Sequence, residues 1–182
     1  MTHPNIIKII CHDIGKHLGC YGVKSVSTKA IDALAKNGIL FENSYATSPG
    51  CSPSRAAIAT GMYPHNNGVL GLAHAHFGWS LDKKVNHIAK HFFKNNYSSI
   101  LFGLQHVTYN EKTLGFKKIF PERPADAVVK NIKENIDSNL FKKPFYAEIN
   151  FFEPHRPFDF GGVKPFKSKG ISVPKYIPNN HD

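Results

Sequence analysis

Cys51-Ser52-Pro53-Ser54-Arg55-Ala56-Ala57-Ile58-Ala59-Thr60-Gly61 reads as a helix with a reactive residue at its N-terminus. Pro53 suits the first helical position, where its missing N–H needs no partner, and it holds Ser52 in the extended conformation of an N-cap. The alanine-rich run carries the helix, and Gly61 ends it in a left-handed turn. Cys51 then projects where unpaired backbone N–H groups and the positive end of the helix dipole converge, with Arg55 one turn on. That arrangement is an anion site with a nucleophile in it.

Upstream, Asn5-Ile6-Ile7-Lys8-Ile9-Ile10-Cys11 has the apolar, β-branched character of a strand buried in a parallel sheet. It runs into His12-Asp13-Ile14-Gly15. Open α/β sheets place their ligands at the C-terminal ends of strands, which makes His12 and Asp13 site candidates. Thr28 caps a predicted helix with Ile31, Leu34 and Ala35 on one face, stopped at Asn37-Gly38. Ile39 to Ala46 is the next predicted strand, and it delivers the chain to Cys51.

Downstream of Gly61, the Pro, Asn and Gly content of Met62 to Gly68 predicts a loop. Ser80 to Asn95 has helical spacing at Leu81, Val85, Ile88 and Phe92; Tyr97 to Phe102 is a predicted strand, Ala125 to Leu140 a helix and Pro144 to Phe152 a strand. The alternation predicts a doubly wound α/β domain. His106 follows its strand as Asp13 follows the first. Pro154 and Pro157 are expected to hold His155 and Arg156 in a stiff extended loop. From Phe158 to Asp182 the chain is rich in Gly, Pro, Lys and Asn and reads as an irregular tail.

The 182 residues, 41% hydrophobic and 20% charged, suit one globular domain with a sizeable core and exclude disorder as the main state. A formal charge of +10 favours an anionic partner. The lysines are scattered, however, and no compact basic run points to nucleic acid. Cys11, Cys20 and Cys51 make neither a disulfide framework nor a zinc knuckle. No apolar run is long enough to span a membrane. Met1-Thr2-His3-Pro4 leads into the first strand without a signal peptide, so the chain as written is expected in the cytoplasm, and in the periplasm or outside the cell if its N-terminus is truncated.

Asp13, Cys51 with Arg55, His106 and His155 thus fall at element ends that one parallel sheet gathers on a single edge. Together they suggest hydrolysis of an anionic ester: cations for the anion, a carboxylate for a hard metal ion, and Cys51 as nucleophile or its precursor. A tyrosine phosphatase spaces its residues Cys-x5-Arg. Here they stand as Cys51-x3-Arg55, too close for that phosphate loop.

Cys51-Ser52-Pro53-Ser54-Arg55 with Thr60-Gly61 matches the signature Cys-x-Pro-Ser-Arg-x4-Thr-Gly, and on it the chain resembles the sulfatase family of the alkaline phosphatase superfamily. The resemblance runs from Asn5 to at least Pro157. Within the family, His65-Asn66-Asn67-Gly68, Gln105-His106-Val107 and Pro154-His155-Arg156 look most like the N-sulfoglucosamine sulfohydrolases and related bacterial sulfatases.

The resemblance implies a three-layer α/β/α sandwich with a mostly parallel sheet, incomplete at the C-terminus, the chain forming the N-terminal portion of the catalytic domain. It implies oxidation of Cys51 to Cα-formylglycine by a formylglycine-generating or anaerobic sulfatase-maturing enzyme, and a Ca²⁺ or other divalent ion near Asp13, His12 and Cys51. Arg55 would orient the formylglycine, His106 and His155 would contact sulfate or the leaving group, with His155 the proton donor, and His65 and Arg156 would contact substrate. The implied substrate is a sulfated small molecule or glycan. Phosphate or phosphonate ester hydrolysis, or a non-catalytic anion- or glycan-binding module, are the alternatives.

Three departures from the family pattern stand out. His12 takes the place of the first metal-binding aspartate, and Leu104 that of a lysine, so one sulfate-binding cation is missing unless Lys16 or another lysine reaches in. Nothing after His155 matches the family's later Asp-Asn metal pair, so the piece alone is expected to be inactive.

Overall fold

The computed structural model describes residues 3–162 apart from 75, 77 and 143, together with positions 164, 173 and 178. Four strands form one sheet in the order β1-β4-β2-β3, with β1 at Ile6–Cys11, β2 at Ser98–Gly103, β3 at Lys118–Phe120 and β4 at Phe145–Phe151. Every pairing is parallel. The helices are α1 (Lys29–Asn37), α2 (Cys51–Thr60), α3 (Pro64–Asn67), α4 (Ile88–Lys94) and α5 (Ala125–Asn135).

Alternation along the strands builds two cores. Ile100 and Phe102 of β2 point to one face, where Val128 of α5 meets them and Phe120, Ile132, Ile149 and Phe151 pack around. On the other face Tyr146 of β4 stacks on Phe92 of α4 at 4.7 Å, and a second cluster of Ala56, Val69, Val107 and Leu114 is flanked by Trp79, Leu81 and Phe116. Helices on both faces of a parallel sheet give the three-layer α/β/α arrangement expected.

Several local expectations need correction. Ile39 to Ala46 forms no strand: Ile39, Phe41 and Tyr45 are exposed, and no neighbouring strand among the described residues offers them a ladder. Ser80 to His87 is not helical, because the Leu81 N–H donates to Val107 O at 3.0 Å and that of Asp82 to Asn67 O at 3.0 Å. The helix begins only after His87, whose Nδ1 accepts from the Ala89 N–H at 3.1 Å. The loop after Gly61 contains the single turn α3, and α5 stops at Asn135. Strand β1 is not buried on both sides: among the described residues it is an edge, with Ile7 and Ile9 about half exposed.

The Cys51 helix starts two residues earlier than Pro53 suggests. Gly50, extended at φ −80° and ψ 142°, is the N-cap, and the Ser54 N–H makes the first bond to Gly50 O at 3.0 Å. Pro53 still sits in the first turn, where no N–H is required of it. Gly61 closes the helix in the left-handed conformation, φ 68°. Of the predicted tail, Phe158 to Gly162 form a turn, and the remainder lies outside the described residues save 164, 173 and 178.

Candidate active site

The C-terminal ends of β1, β2 and β4 converge on the N-terminus of α2. The His12 N–H donates to Glu153 O at 3.2 Å, tying the end of β1 to that of β4. Beyond β2, the Gln105 side chain accepts from the Val107 N–H at 2.7 Å and the Thr108 N–H at 3.1 Å, which pins the turn carrying His106. Asp13 and His106 both adopt left-handed backbone, at φ 54° and 59°. Non-glycine residues hold that conformation only where surrounding contacts enforce it, and they concentrate at functional sites.

Arg55 is 6% exposed. Its Nη1 donates to Leu104 O at 3.3 Å, and Nη2 is buried without a protein partner. Burial pulls its pKa down, opposed by the charge of Glu148 and by Cys51, Asp13 and Cys11. A buried guanidinium N–H with no protein partner is chemically able to donate to an anion.

Cys51 is half-buried at the first helical position. Burial raises the pKa of its thiol, and the backbone N–H groups of Ser52 and Cys51 itself, together with Arg55, act the other way. His106 is buried, its ring 6.0 Å from that of His12; burial, then His74 and Arg55, push its pKa down to about 3, so it is neutral. Burial and Arg55 likewise lower His12, which is 3% exposed.

The expected residues mostly assemble. His12 Nδ1 lies 3.3 Å from Asp13 Oδ1, His155 Nε2 lies 3.6 Å from Asp13 Oδ2, and the His12 and His155 rings meet edge to face at 4.9 Å. His155 sits in a turn and not in an extended loop, its N–H donating to Phe152 O at 3.1 Å. Both its ring nitrogens are engaged, Nδ1 being 2.5 Å from Arg156 O. Arg156, exposed, borders a cleft of about 500 Å³ together with Asp13 and His17. His65 stands apart on α3, exposed and stacked on Tyr63 at 5.9 Å. Lys16 does not substitute for the lysine absent at Leu104, since its ammonium donates to Glu42 O and lies over the Tyr21 ring.

Two contributors escape a sequence reading. His74, in an aperiodic loop, places Nδ1 against His106 Nε2 with the rings stacked at 4.3 Å. Its loop is tethered to α2 because the Ala73 N–H donates to Ser52 Oγ at 3.1 Å. Glu148, the single carboxylate in β4, is buried behind Arg55 and bonded to Lys8, Tyr146 and Asn150. Its signal was available: one charge in each of two apolar strands implies a pair.

Comparison with known proteins agrees with this geometry. The sulfatase family model matches residues 4–168. An ulvan-active sulfatase of Formosa agariphila is 40% identical over 157 residues, which is 84% of this chain and 30% of that protein. Human N-sulphoglucosamine sulphohydrolase is 26% identical over 160 residues, 84% of this chain and 32% of that protein. The solved structure of a 2-O GAG sulfatase superposes with a TM-score of 0.68 at 26% identity, covering 98% of this chain and 42% of the other. The chain thus spans about a third of the length of these curated relatives. A family match over residues 4–168 leaves no room for a local coincidence at one motif: the chain belongs to the sulfatase family.

Proposed function

We propose that this chain carries the nucleophile-bearing part of a sulfatase that hydrolyses a sulfuric ester or N-sulfate of a sugar. The state of Cys51 carries the reading. It is seated for attack beside Arg55, yet burial raises its thiol pKa, so the sulfur is not held as the thiolate that a cysteine nucleophile needs. Such a residue suits a precursor.

Sulfatases generally use a metal and a formylglycine. Oxidation of Cys51 to formylglycine by a maturation enzyme would supply a hydrated aldehyde, one hydroxyl serving as nucleophile towards sulfur as the sugar oxygen or nitrogen leaves, and loss of the second hydroxyl's proton expelling sulfate and restoring the aldehyde. The cradle fits that group, because the two backbone N–H groups that act on the sulfur also suit an oxygen.

Around it, the partnerless Nη2 of Arg55 takes the sulfate oxygens. His106 is neutral, and its buried Nδ1 has no protein partner, which leaves it to the anion as well. The departing atom takes its proton from His155, which is held at this rim with Nε2 3.6 Å from Asp13 Oδ2. Arg156, on the neighbouring cleft, is placed for a second charged group of the sugar. The sulfated-sugar substrates named for relatives support that substrate class.

The metal is a separate question. Ca²⁺ takes six to eight oxygen ligands. Beside Cys51, among the described residues, His12, Asp13 and His155 stand together as two imidazoles and one carboxylate. They would form part of the shell of a divalent cation, Asp13 supplying the oxygen donor that Ca²⁺ favours.

Mass spectrometry of the Cys51 peptide, after co-expression with a formylglycine-generating or anaerobic sulfatase-maturing enzyme, tests the reading. The aldehyde or its hydrate is expected. Unmodified thiol alone, while a known sulfatase in the same cells is converted, would overturn it. Paired assays of the complete gene product on aryl sulfate and aryl phosphate then separate sulfatase from phosphatase, with sulfate expected to be preferred.

A further inference from the structure

We propose that the cleft between α4 and the 3₁₀ turn Glu111–Leu114 is a second, non-catalytic binding site, and that its occupant is an anionic polysaccharide. The charge of the occupant is read from the cleft alone; that it is a sugar polymer rests on the sulfatase reading.

Lysines scattered along the sequence are gathered here by the fold. Lys83 and Lys84 come from the segment before α4, Lys90 and Lys94 from α4 itself, and Lys112 from the turn opposite. They line one cleft of about 1060 Å³, at the upper end of the size of small-ligand pockets, so a stretch of chain fills it better than a single sugar. Among the described lining residues Asp82 is the single carboxylate, and its Oδ1 already accepts from the Lys84 N–H at 2.8 Å. None of the five lysines makes an ion pair among the described residues, whereas Lys8 and Lys130 both do. Like charges collected without counter-charges raise the local concentration of anions.

The walls are fixed by packing. Gly115, at φ 89°, lets the turn lie against α4 so closely that a Cβ there would stand 2.4 Å from Lys90 Cα. Leu114, 1% exposed, anchors the turn in the core. The segment bearing Lys83 and Lys84 is pinned by the N–H groups of Leu81 and Asp82, which donate to Val107 O and Asn67 O, each at 3.0 Å. Phe93, 52% exposed, gives the cleft an apolar face among the ammonium groups. Such a lining suits a polymer whose rings are apolar on their C–H faces and anionic at their rims.

Two observations favour a sugar polymer over a nucleic acid. Every cation among the described lining residues is a lysine, a point charge without the planar fork that arginine offers to phosphate. Single-stranded nucleic acid is held by stacked bases and arginine, whereas separate sulfate and carboxylate groups need point charges only. The second observation is position. Thr108 lines the cleft, and it belongs to the turn pinned by Gln105 that carries His106. Its hydroxyl also pairs with that of Ser80, another lining residue, at 2.8 Å. Cleft and catalytic site therefore share a turn, and a polymer that presents one sulfate to Cys51 has the lysines alongside.

The test measures binding of a fluorescent heparin oligosaccharide to the full 182-residue chain by anisotropy, over a range of salt. Affinity should fall with a log–log slope of about 3 or more, as four or five charges are neutralised. Lys94→Gln combined with Lys112→Gln, one exposed lysine from each wall, should weaken binding about tenfold or more and lower the slope by about 1.5. Lys130→Gln combined with Lys133→Gln removes the same charge from α5, on the opposite face of the sheet, and should change affinity by less than about twofold. Arg55→Met should leave heparin binding in place. Circular dichroism confirms that the variants fold, and the wild-type titration stands without them. Equal losses in the two double variants would show that net charge, and not the cleft, holds the glycan, and would overturn the site; so would loss of binding in Arg55→Met. Tighter binding of an oligothymidylate of similar length than of heparin would overturn the choice of a polysaccharide. An aldehyde at Cys51 with no heparin binding would overturn the cleft and leave the sulfatase reading standing. Heparin binding that depends on Lys94 and Lys112, with an unconverted thiol at Cys51, would support the cleft and count against the sulfatase reading.

Discussion

Lys8 on β1 and Glu148 on β4 are register partners, and their charged ends meet at 2.7 Å inside the sheet. Glu148 is 3% exposed and also accepts from Tyr146 Oη at 2.7 Å and Asn150 Nδ2 at 3.0 Å. Removing one partner of such a network strands the others. Glu148→Leu should therefore cost about 3 to 5 kcal/mol in denaturant unfolding. Adding Lys8→Met should return a substantial part of that loss. A double variant no more stable than the single would show that the pair is not the source.

Arg55 should matter to anion binding more than to folding. Inorganic sulfate should raise the melting temperature of the wild-type chain, because an occupant of the native state alone stabilises it. Arg55→Met keeps much of the side-chain volume and loses the donors, and the shift with sulfate should vanish. Arg55→Lys should restore it only in part, since an ammonium lacks the planar fork.

Acid should destabilise the protein through two buried histidines. The folded-state pKa of His87 is lowered to about 4 and that of His106 to about 3, chiefly by burial. Between those values and the ordinary value of about 6.5 the unfolded chain binds more protons than the folded one, so stability falls as pH drops through that window. Glu148, held below the ordinary carboxylate range by Lys8 and His87 against the effect of burial, adds to the loss at lower pH as it is protonated. His87→Asn keeps a helix-capping side chain and removes one titration. The slope of unfolding free energy against pH should be shallower in that variant, by up to one proton's worth.

Gly103 should tolerate no side chain. A Cβ there would lie 2.0 Å from Asn150 O on the neighbouring strand, and φ is 84°. Gly103→Ala must push β2 from β4 or twist the turn that leads to His106. A loss of at least about 3 kcal/mol is expected, with reduced soluble yield. A thermal midpoint within a degree of wild type would contradict the contact.

How much of this was legible in the sequence follows from which forces act locally. Strands β2 and β4 announce themselves as apolar runs, and the Cys51 helix by its proline, alanines and terminal glycine. That helix starts two residues before the position Pro53 suggests, because proline is equally free of obligation at any position of the first turn. The same limits apply further along. Ile39 to Ala46 has the composition of a strand, but a strand exists only with a neighbour to pair with. Ser80 to His87 has helical spacing, yet its N–H groups are claimed by Val107 and Asn67, distant in the chain. His12, Asp13, Arg55, His106 and His155 can be placed near one another from the sequence because strand ends and helix N-termini are positions that sequence can locate. His74 cannot, since what brings it to His106 is a tether between Ala73 and Ser52.

The edge position of β1 has a practical consequence for anyone who handles the protein. Ile7 and Ile9 present apolar surface along a strand whose outer backbone groups have no ladder partner among the described residues. Such a rim adheres readily to other strands. A net charge of +10 keeps copies apart in dilute buffer. Salt shortens the reach of that repulsion to about 3 Å at 1 M, so the chain should stay dispersed at low ionic strength and self-associate as salt is raised, and Ile7→Lys should widen the range in which it remains monomeric.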